Sequence, residues 1–236
     1  MATERLVLES EKNTELSRLH LARYEFAREF VRGKKVLDVA CGSGYGSAML
    51  KEAGAVKVLG IDISSETIAY ARANFQNEGI DFVVGDAEDL SSYRDFDVVV
   101  SFETIEHLQH PEKFLQEIAR ASAPEGSLII STPRREREGS PGNPFHVKEW
   151  TEDEFAVLLS QHFHLVNNCG QYSLKKKSFP FSRTLQRVIF RLLFPAQFAT
   201  YDNFPVLSQP PRYKGFQCGL TYMVVVCANK KNTGKF

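Results

Sequence analysis

Val36-Leu37-Asp38-Val39-Ala40-Cys41-Gly42-Ser43-Gly44-Tyr45-Gly46 decides the reading of this 236-residue chain. An apolar strand at Lys35–Val39 runs into a glycine-rich turn, and a helix is expected over Ser47–Ala53. Glycine takes positive φ and lets a ligand approach the backbone, so a strand, glycine turn and helix in succession form a nucleotide-binding device. The turn alone is shared with dinucleotide enzymes, and its neighbours must discriminate.

Working outward, strands are expected at Lys57–Ile61, Phe82–Val84, Asp97–Ser101, Leu128–Ser131 (after a Pro124-Glu125-Gly126 turn), Phe163–Cys169 and Thr221–Ala228. Helices are expected over 14–31, ended by Gly33, from Ser64/Ser65 to Asn77, over Pro111–Ser122, and over Thr151–Ser160 with Thr151 and Glu154 as a capping box. Asp97-Val98-Val99-Val100-Ser101 is nearly all apolar, as a strand buried on both faces requires. Strict strand–helix alternation predicts an α/β fold, an open sheet with helices on both faces.

Three acids stand at three successive strand ends. Asp38 precedes the glycines, where a carboxylate suits the amino group of a ligand with an amino-acid end. Asp62 ends the second strand, 18 residues after Gly44, where an acid can accept both ribose hydroxyls. Asp86, before Ala87 and Glu88, can bond an adenine amine. All three point to the carboxyl edge of the sheet, and no Arg or Lys beside the loop answers a pyrophosphate, which disfavours a dinucleotide. The bland alternative is that each acid caps the following helix.

After the fourth strand comes Ser101-Phe102-Glu103-Thr104-Ile105-Glu106-His107-Leu108. On a helical turn Glu103, Glu106 and His107 share one face. Two carboxylates and an imidazole suit a divalent ion, and His107 or His146 (from Asn143-Pro144-Phe145-His146-Val147-Lys148-Glu149-Trp150) suits a metal-free general base. Purely structural roles for these residues are the third reading.

Basic and acidic residues balance at 29 each, which disfavours a general nucleic-acid binder. Four cysteines (Cys41, Cys169, Cys218, Cys227) form no CxxC pair, as expected of free thiols in the cytoplasm. The opening Met-Ala-Thr-Glu-Arg has no apolar core of a signal peptide, and no apolar run reaches the roughly 18 residues of a membrane span. One stretch departs from neutrality: Lys175–Lys214 carries eight basic residues against the single acid Asp202. Inside it Arg183–Phe194 reads as an amphipathic helix, suited to an acceptor lid, a membrane surface or a dimer contact.

Val36–Gly44, Gly60-Ile61-Asp62-Ile63-Ser64, Gly85-Asp86-Ala87-Glu88 and Asp95–Ser101 together resemble, in order, the motifs of class I S-adenosylmethionine-dependent methyltransferases, over about residues 20–172. Ala40 stands where many members carry glycine. The resemblance implies a doubly wound, Rossmann-like seven-stranded sheet, mostly parallel with its last strand antiparallel. It divides the chain into a helical segment 1–33, a cofactor-binding core 34–174, a basic insert 175–217 and a closing strand 218–229. It implies that S-adenosylmethionine meets Arg23, Asp38, Ala40, Gly42, Ser43, Gly44, Asp62, Ile63, Asp86, Ala87, Glu88, Phe102 and Glu103. Glu-x-x-Glu-His resembles the ubiquinone-pathway and small-RNA 2′-O-methyltransferases, which would make Glu103, Glu106, His107 and His146 ligands of Mg²⁺ or Mn²⁺ and give Glu106, His107 and His146 the catalytic roles. The overall likeness is to O-methyltransferases of glycan and natural-product pathways, hence a sugar, glycan or small-molecule acceptor, anionic if the insert binds it, and a monomer or homodimer. RNA 2′-O-methylation and an inactive S-adenosylmethionine-binding regulator are the alternatives.

Overall fold

The computed structural model describes residues 15–135, 143–175, 206–207 and 217–230. The chain runs α1 (Glu15–Ala27), a 3₁₀ turn (Arg28–Phe30), β1 (Lys35–Val39), α2 (Tyr45–Glu52), β2 (Lys57–Asp62), α3 (Ser65–Phe75), β3 (Ile80–Val84) and β4 (Phe96–Phe102). It continues through a second 3₁₀ turn (Ile105–His107), α4 (Pro111–Ala121), β5 (Ser122–Pro133), α5 (Glu152–Ser160), β6 (Phe163–Lys175), β7 (Val206–Leu207) and β8 (Gln217–Asn229). The strands form one sheet in the order β3-β2-β1-β4-β5-β8-β6-β7. β1 to β5 are parallel, and β8 lies antiparallel between β5 and β6.

The doubly wound, mostly parallel sheet with a reversed final strand is therefore present. The two-residue β7, antiparallel on β6, adds an eighth member to the seven expected. The Arg183–Phe194 helix, and the basic insert apart from Lys175, Val206–Leu207 and Gln217, lie outside the described residues. Among those described, no helix is long and apolar enough to cross a membrane.

Strand pleating assigns successive residues to opposite faces. Val36, Val58, Val98, Val100, Ile129, Val224 and Val226 pack with Tyr24 and Ala27 of α1, Leu50 of α2, and Ile68 and Ala71 of α3. Leu37, Val39, Ile61, Val99, Leu128, Ile130, Met223 and Val225 pack with Phe114, Leu115 and Ile118 of α4 and Phe155, Leu158 and Leu159 of α5. Each fully buried Leu, Ile or Phe contributes about 1.5–3 kcal/mol, so these two layers hold the fold.

Local signals explain most boundaries. The Ser64 hydroxyl accepts the Thr67 N–H at the start of α3, and Thr151 and Glu154 bond reciprocally at the start of α5. The N-terminal helix stops short of Val31, its last turn tightening to 3₁₀ before Gly33 at φ 73°. The expected turn at Pro124-Glu125-Gly126 is instead a bulge inside a longer β5: Ser122 pairs with Phe96 and Ser127 with Val98. A Cβ on Gly126 would lie 2.9 Å from the carbonyl oxygens of both Ala123 and Phe96.

β1 has β2 on one side and β4 on the other. The connections leave in opposite directions there, so the carboxyl ends of β1 and β4 form the switch point of the sheet, where open α/β sheets bind ligands. The glycine turn follows β1, and Glu103–His107 follows β4.

Candidate active site

The glycine turn is a left-handed cradle. Ala40, Gly42 and Gly44 have φ of 60°, 55° and 87°. An alanine in that region costs roughly 1–2 kcal/mol. At Gly44 space is also excluded, since a Cβ would lie 2.8 Å from both Ala71 Cβ and Phe82 Cζ. Asp62 ties the turn to β2: Oδ2 accepts the Gly42 N–H at 3.1 Å and Oδ1 the Ser64 N–H at 2.9 Å. The buried Ser43 hydroxyl has no hydrogen-bond partner. Beside Asp62, the Ile63 side chain is exposed, an apolar platform for a flat ring.

Asp38 is wholly buried. Ser47 Oγ donates to its Oδ2 at 2.7 Å, and the Tyr24 hydroxyl lies 3.1 and 3.3 Å from its two oxygens. It braces the turn from beneath, where the sequence reading had it meeting a ligand's amino group. Burial pushes its carboxyl up to about 6, against the opposing bonds from Ser47 and Tyr24. The unfolded carboxyl titrates near 3.8, so between those values the folded chain holds the extra proton. The resulting stability is full below pH 4 and is lost as pH rises through 6, about 3 kcal/mol at 1.36 kcal/mol per pH unit. Asp38→Asn should therefore lose less stability than the parent between pH 4 and pH 8 in urea melts. An identical pH profile for the two proteins would refute this.

The other acids behave differently. Asp86 is exposed, its Oδ1 accepting the Glu88 N–H at 2.8 Å, and Glu88 Oε1 accepts the His110 N–H at 2.9 Å. Ala87 is half-buried between them. Phe102 ends β4 with its ring edge-on to Tyr24, centroids 5.0 Å apart.

Arg23 enters this switch point from α1 with no exposed surface. Its Nε–H donates to Gln171 Oε1 at 2.8 Å, and its guanidinium lies over the Tyr222 ring at 4.3 Å. Nη2 is 3.6 Å from Glu103 Oε2, yet neither Nη1 nor Nη2 makes a hydrogen bond. Buried unsatisfied donors on a cation are costly, and a carboxylate is a group whose geometry can answer them.

Glu103 takes φ 53°, unusual for a non-glycine residue. Its N–H donates to the Ser131 carbonyl, and Ser131 Oγ donates to its Oε1 at 2.7 Å. This turns Glu103 toward Arg23. The expected helical turn is a 3₁₀ turn that starts only at Ile105, so Glu103 does not share a face with the other two. The structure gathers Glu106, His107 and His146, with one ligand atom of each within 4.8 Å of the others.

Glu106 is wholly buried; Thr132 Oγ1 donates to its Oε2 at 3.0 Å and Oε1 has no partner. Burial, and then the neighbouring Glu103 charge, hold its carboxyl well above the usual range. His107 Nδ1 lies 3.0 Å from the Phe145 carbonyl, which can only accept, so the proton is on Nδ1 and Nε2 carries the lone pair. The His146 ring stands at 79° to that of His107, centroids 4.9 Å apart.

Tyr24, Ser47, Thr132, Gln171 and Tyr222 belong to this site and were not expected. Gln171 and Tyr222 arrive on β6 and β8, and nothing local in the sequence points to them.

Residues 37–130 match a family model described as a methyltransferase domain. A probable S-adenosylmethionine-dependent methyltransferase of Mycolicibacterium smegmatis is 33% identical over 147 residues, 60% of this chain and 56% of that protein. A ubiquinone biosynthesis O-methyltransferase of Idiomarina loihiensis is 36% identical over 55% of this chain and 49% of its own length. A phosphoethanolamine N-methyltransferase of Triticum aestivum is 32% identical over 63% and 30%. The matched stretch thus spans little more than half of these relatives, or less. In fold, a TehB-like S-adenosylmethionine-dependent methyltransferase from Corynebacterium glutamicum superposes with a TM-score of 0.57 at 23% identity, covering 94% of this chain and 92% of that one.

Proposed function

We propose, from the premise that the chain belongs to the class I S-adenosylmethionine-dependent methyltransferases, that it methylates a hydroxyl oxygen of a small molecule such as a sugar, glycan or natural product. The observation that carries the choice of oxygen is the pair formed by buried Glu106, with its unpartnered Oε1, and His107, with its Nε2 lone pair turned away from Phe145. A neutral amine can attack a methyl group with its own lone pair; a hydroxyl needs its proton taken, and His107 Nε2 is the base for that.

S-adenosylmethionine supplies the electrophilic methyl on a sulfonium. The residues present fit it: Arg23 Nη1 and Nη2, which make no hydrogen bond, for the carboxylate, Glu103 for the ammonium, the Ala40–Gly44 cradle for the backbone approach, Asp62 for the ribose, Ile63 and Asp86 for the adenine. Holding both reactants at one switch point gives much of the rate by approximation. Glu106 and His107 would hold a divalent cation, joined by His146 once its Nε2 exchanges the Asn143 amide for the ion, and the chemistry of such an ion is to lower the pKa of a bound hydroxyl. One carboxylate and two imidazoles suit Mn²⁺ or Zn²⁺ better than Mg²⁺, which prefers oxygen ligands.

The test is transfer of labelled methyl from S-adenosylmethionine to hydroxyl-bearing and amine-bearing acceptors, with and without chelator. Product on hydroxyls supports the reading, and product on amines alone overturns it. Turnover lost in chelator and restored by Mn²⁺ assigns the cation; full turnover in chelator assigns His107 as the base. As a control on cofactor placement, Arg23→Ala should weaken S-adenosylhomocysteine binding by about tenfold or more, the loss of one charge-assisted hydrogen bond. Unchanged calorimetric affinity would remove Arg23 from the site.

A further inference from the structure

Glu149 is the one acidic neighbour of the two histidines that the reading above leaves without a role. Hydrogen bonds link it through His146 and Asn143 to the Phe145 N–H, and across the Cα of Phe145 the carbonyl of the same residue is bonded to His107. The Phe145 N–H can only donate, and it goes to Asn143 Oδ1 at 3.0 Å. That orients the Asn143 amide, so the group 3.1 Å from His146 Nε2 is the amide nitrogen, a donor. His146 Nε2 is then the lone-pair nitrogen, and its proton is on Nδ1, which donates to Glu149 Oε1 at 2.7 Å. At the far end the Phe145 carbonyl accepts from His107 Nδ1. The side chains of His146 and Glu149 are only 8% and 10% exposed, so water competes weakly for their bond and each link polarises the next.

We infer that Glu149 is a positioning residue: it locks the His146 tautomer and, through His146 and Asn143, holds the N–H of Phe145, the residue whose carbonyl anchors His107. Without a carboxylate at Nδ1, the His146 proton is free to move to Nε2, where it meets the Asn143 amide donor to donor. The amide must then turn, Phe145 N–H loses its acceptor, and the His107 anchor loosens. His146 Nε2 is already covered by Asn143, which leaves His107 as the ring offering an open lone pair. This inference rests on the reading of His107 as the group that activates the acceptor.

Full-length protein labelled with ¹⁵N in histidine tests it, because two-bond ¹⁵N–¹H correlations report each ring's tautomer directly. The parent should show Nδ1–H for both His107 and His146. Glu149→Ala should give mixed tautomers at His146 and a kcat lower by about tenfold to a hundredfold, with KM for S-adenosylmethionine unchanged. Glu149→Gln keeps a carbonyl acceptor at Oε1 and should retain the Nδ1–H signature and most of the kcat. A pure Nδ1–H His146 in Glu149→Ala with parental kcat overturns the inference, as does a kcat loss that Glu149→Gln fails to rescue. The spectra need no acceptor, so a parent enzyme inactive on every hydroxyl would sink the proposed function while the tautomer result still decides the role of Glu149.

Discussion

His107→Ala is expected to lower kcat by about 10²–10⁴-fold, the usual contribution of a positioned general base, and to leave S-adenosylhomocysteine affinity unchanged. The separation follows from geometry. Arg23, Asp62 and the glycine cradle sit around the end of β1, and none of them bonds His107. His107 is held by the Phe145 carbonyl through Nδ1, and among the described residues none bonds its Nε2. Alanine removes the lone pair and little buried apolar surface, so the melting temperature should hold. If a cation sits on Glu106, His107 and His146, the same variant should also weaken Mn²⁺ binding, read by calorimetry. Parental turnover in His107→Ala would move acceptor activation to another residue.

Gly46→Ala should be the most damaging alanine substitution among the described glycines. The Cβ it adds would overlap the ring of Tyr24, which is buried against Tyr45 and Phe102 with centroids 5.6 and 5.0 Å away. The ring cannot retreat without losing those contacts and the bond from its hydroxyl to Asp38. Overpacking of this kind costs about 1–3 kcal/mol, and the depth of this overlap puts Gly46→Ala at the upper end, measurable by urea denaturation. Removing the obstacle should recover part of it: in the double variant with Tyr24→Ala, the losses should fall short of additivity by about 0.5–3 kcal/mol. Strict additivity would show that the ring is not what Gly46 accommodates.

Both outcomes depend on how α1 docks over the glycine turn, which marks the limit of what the linear sequence conveys. The turn itself was legible because positive φ and close approach demand glycine at Gly42 and Gly44. The ends of β1 and β3 were legible because their apolar runs give way to the glycine turn and to Gly85-Asp86, whereas β2 and β4 each run one residue past the expected end, to Asp62 and Phe102. The Thr151–Glu154 box was legible because both partners lie within one turn. Glu103 was not. A helical period placed it beside Glu106 and His107, but φ 53° and the Ser131 contact, 28 residues away, turn it to Arg23. Asp38 was found, yet its partners Tyr24 and Ser47 showed only when two helices packed above it.

The sequence by itself determined the sheet, its two apolar layers and the place of the switch point, since period-2 patterning, strand–helix alternation and glycine chemistry are local properties. Only the tertiary structure decided which polar groups finish with partners and which do not. The Arg23 nitrogens without a hydrogen bond, the bare Oε1 of Glu106 and the lone pair on His107 Nε2 are set by residues 26 to 199 positions away, from Thr132 to Tyr222. Burial makes every such group either satisfied or costly, and that accounting closes only when the whole fold is assembled.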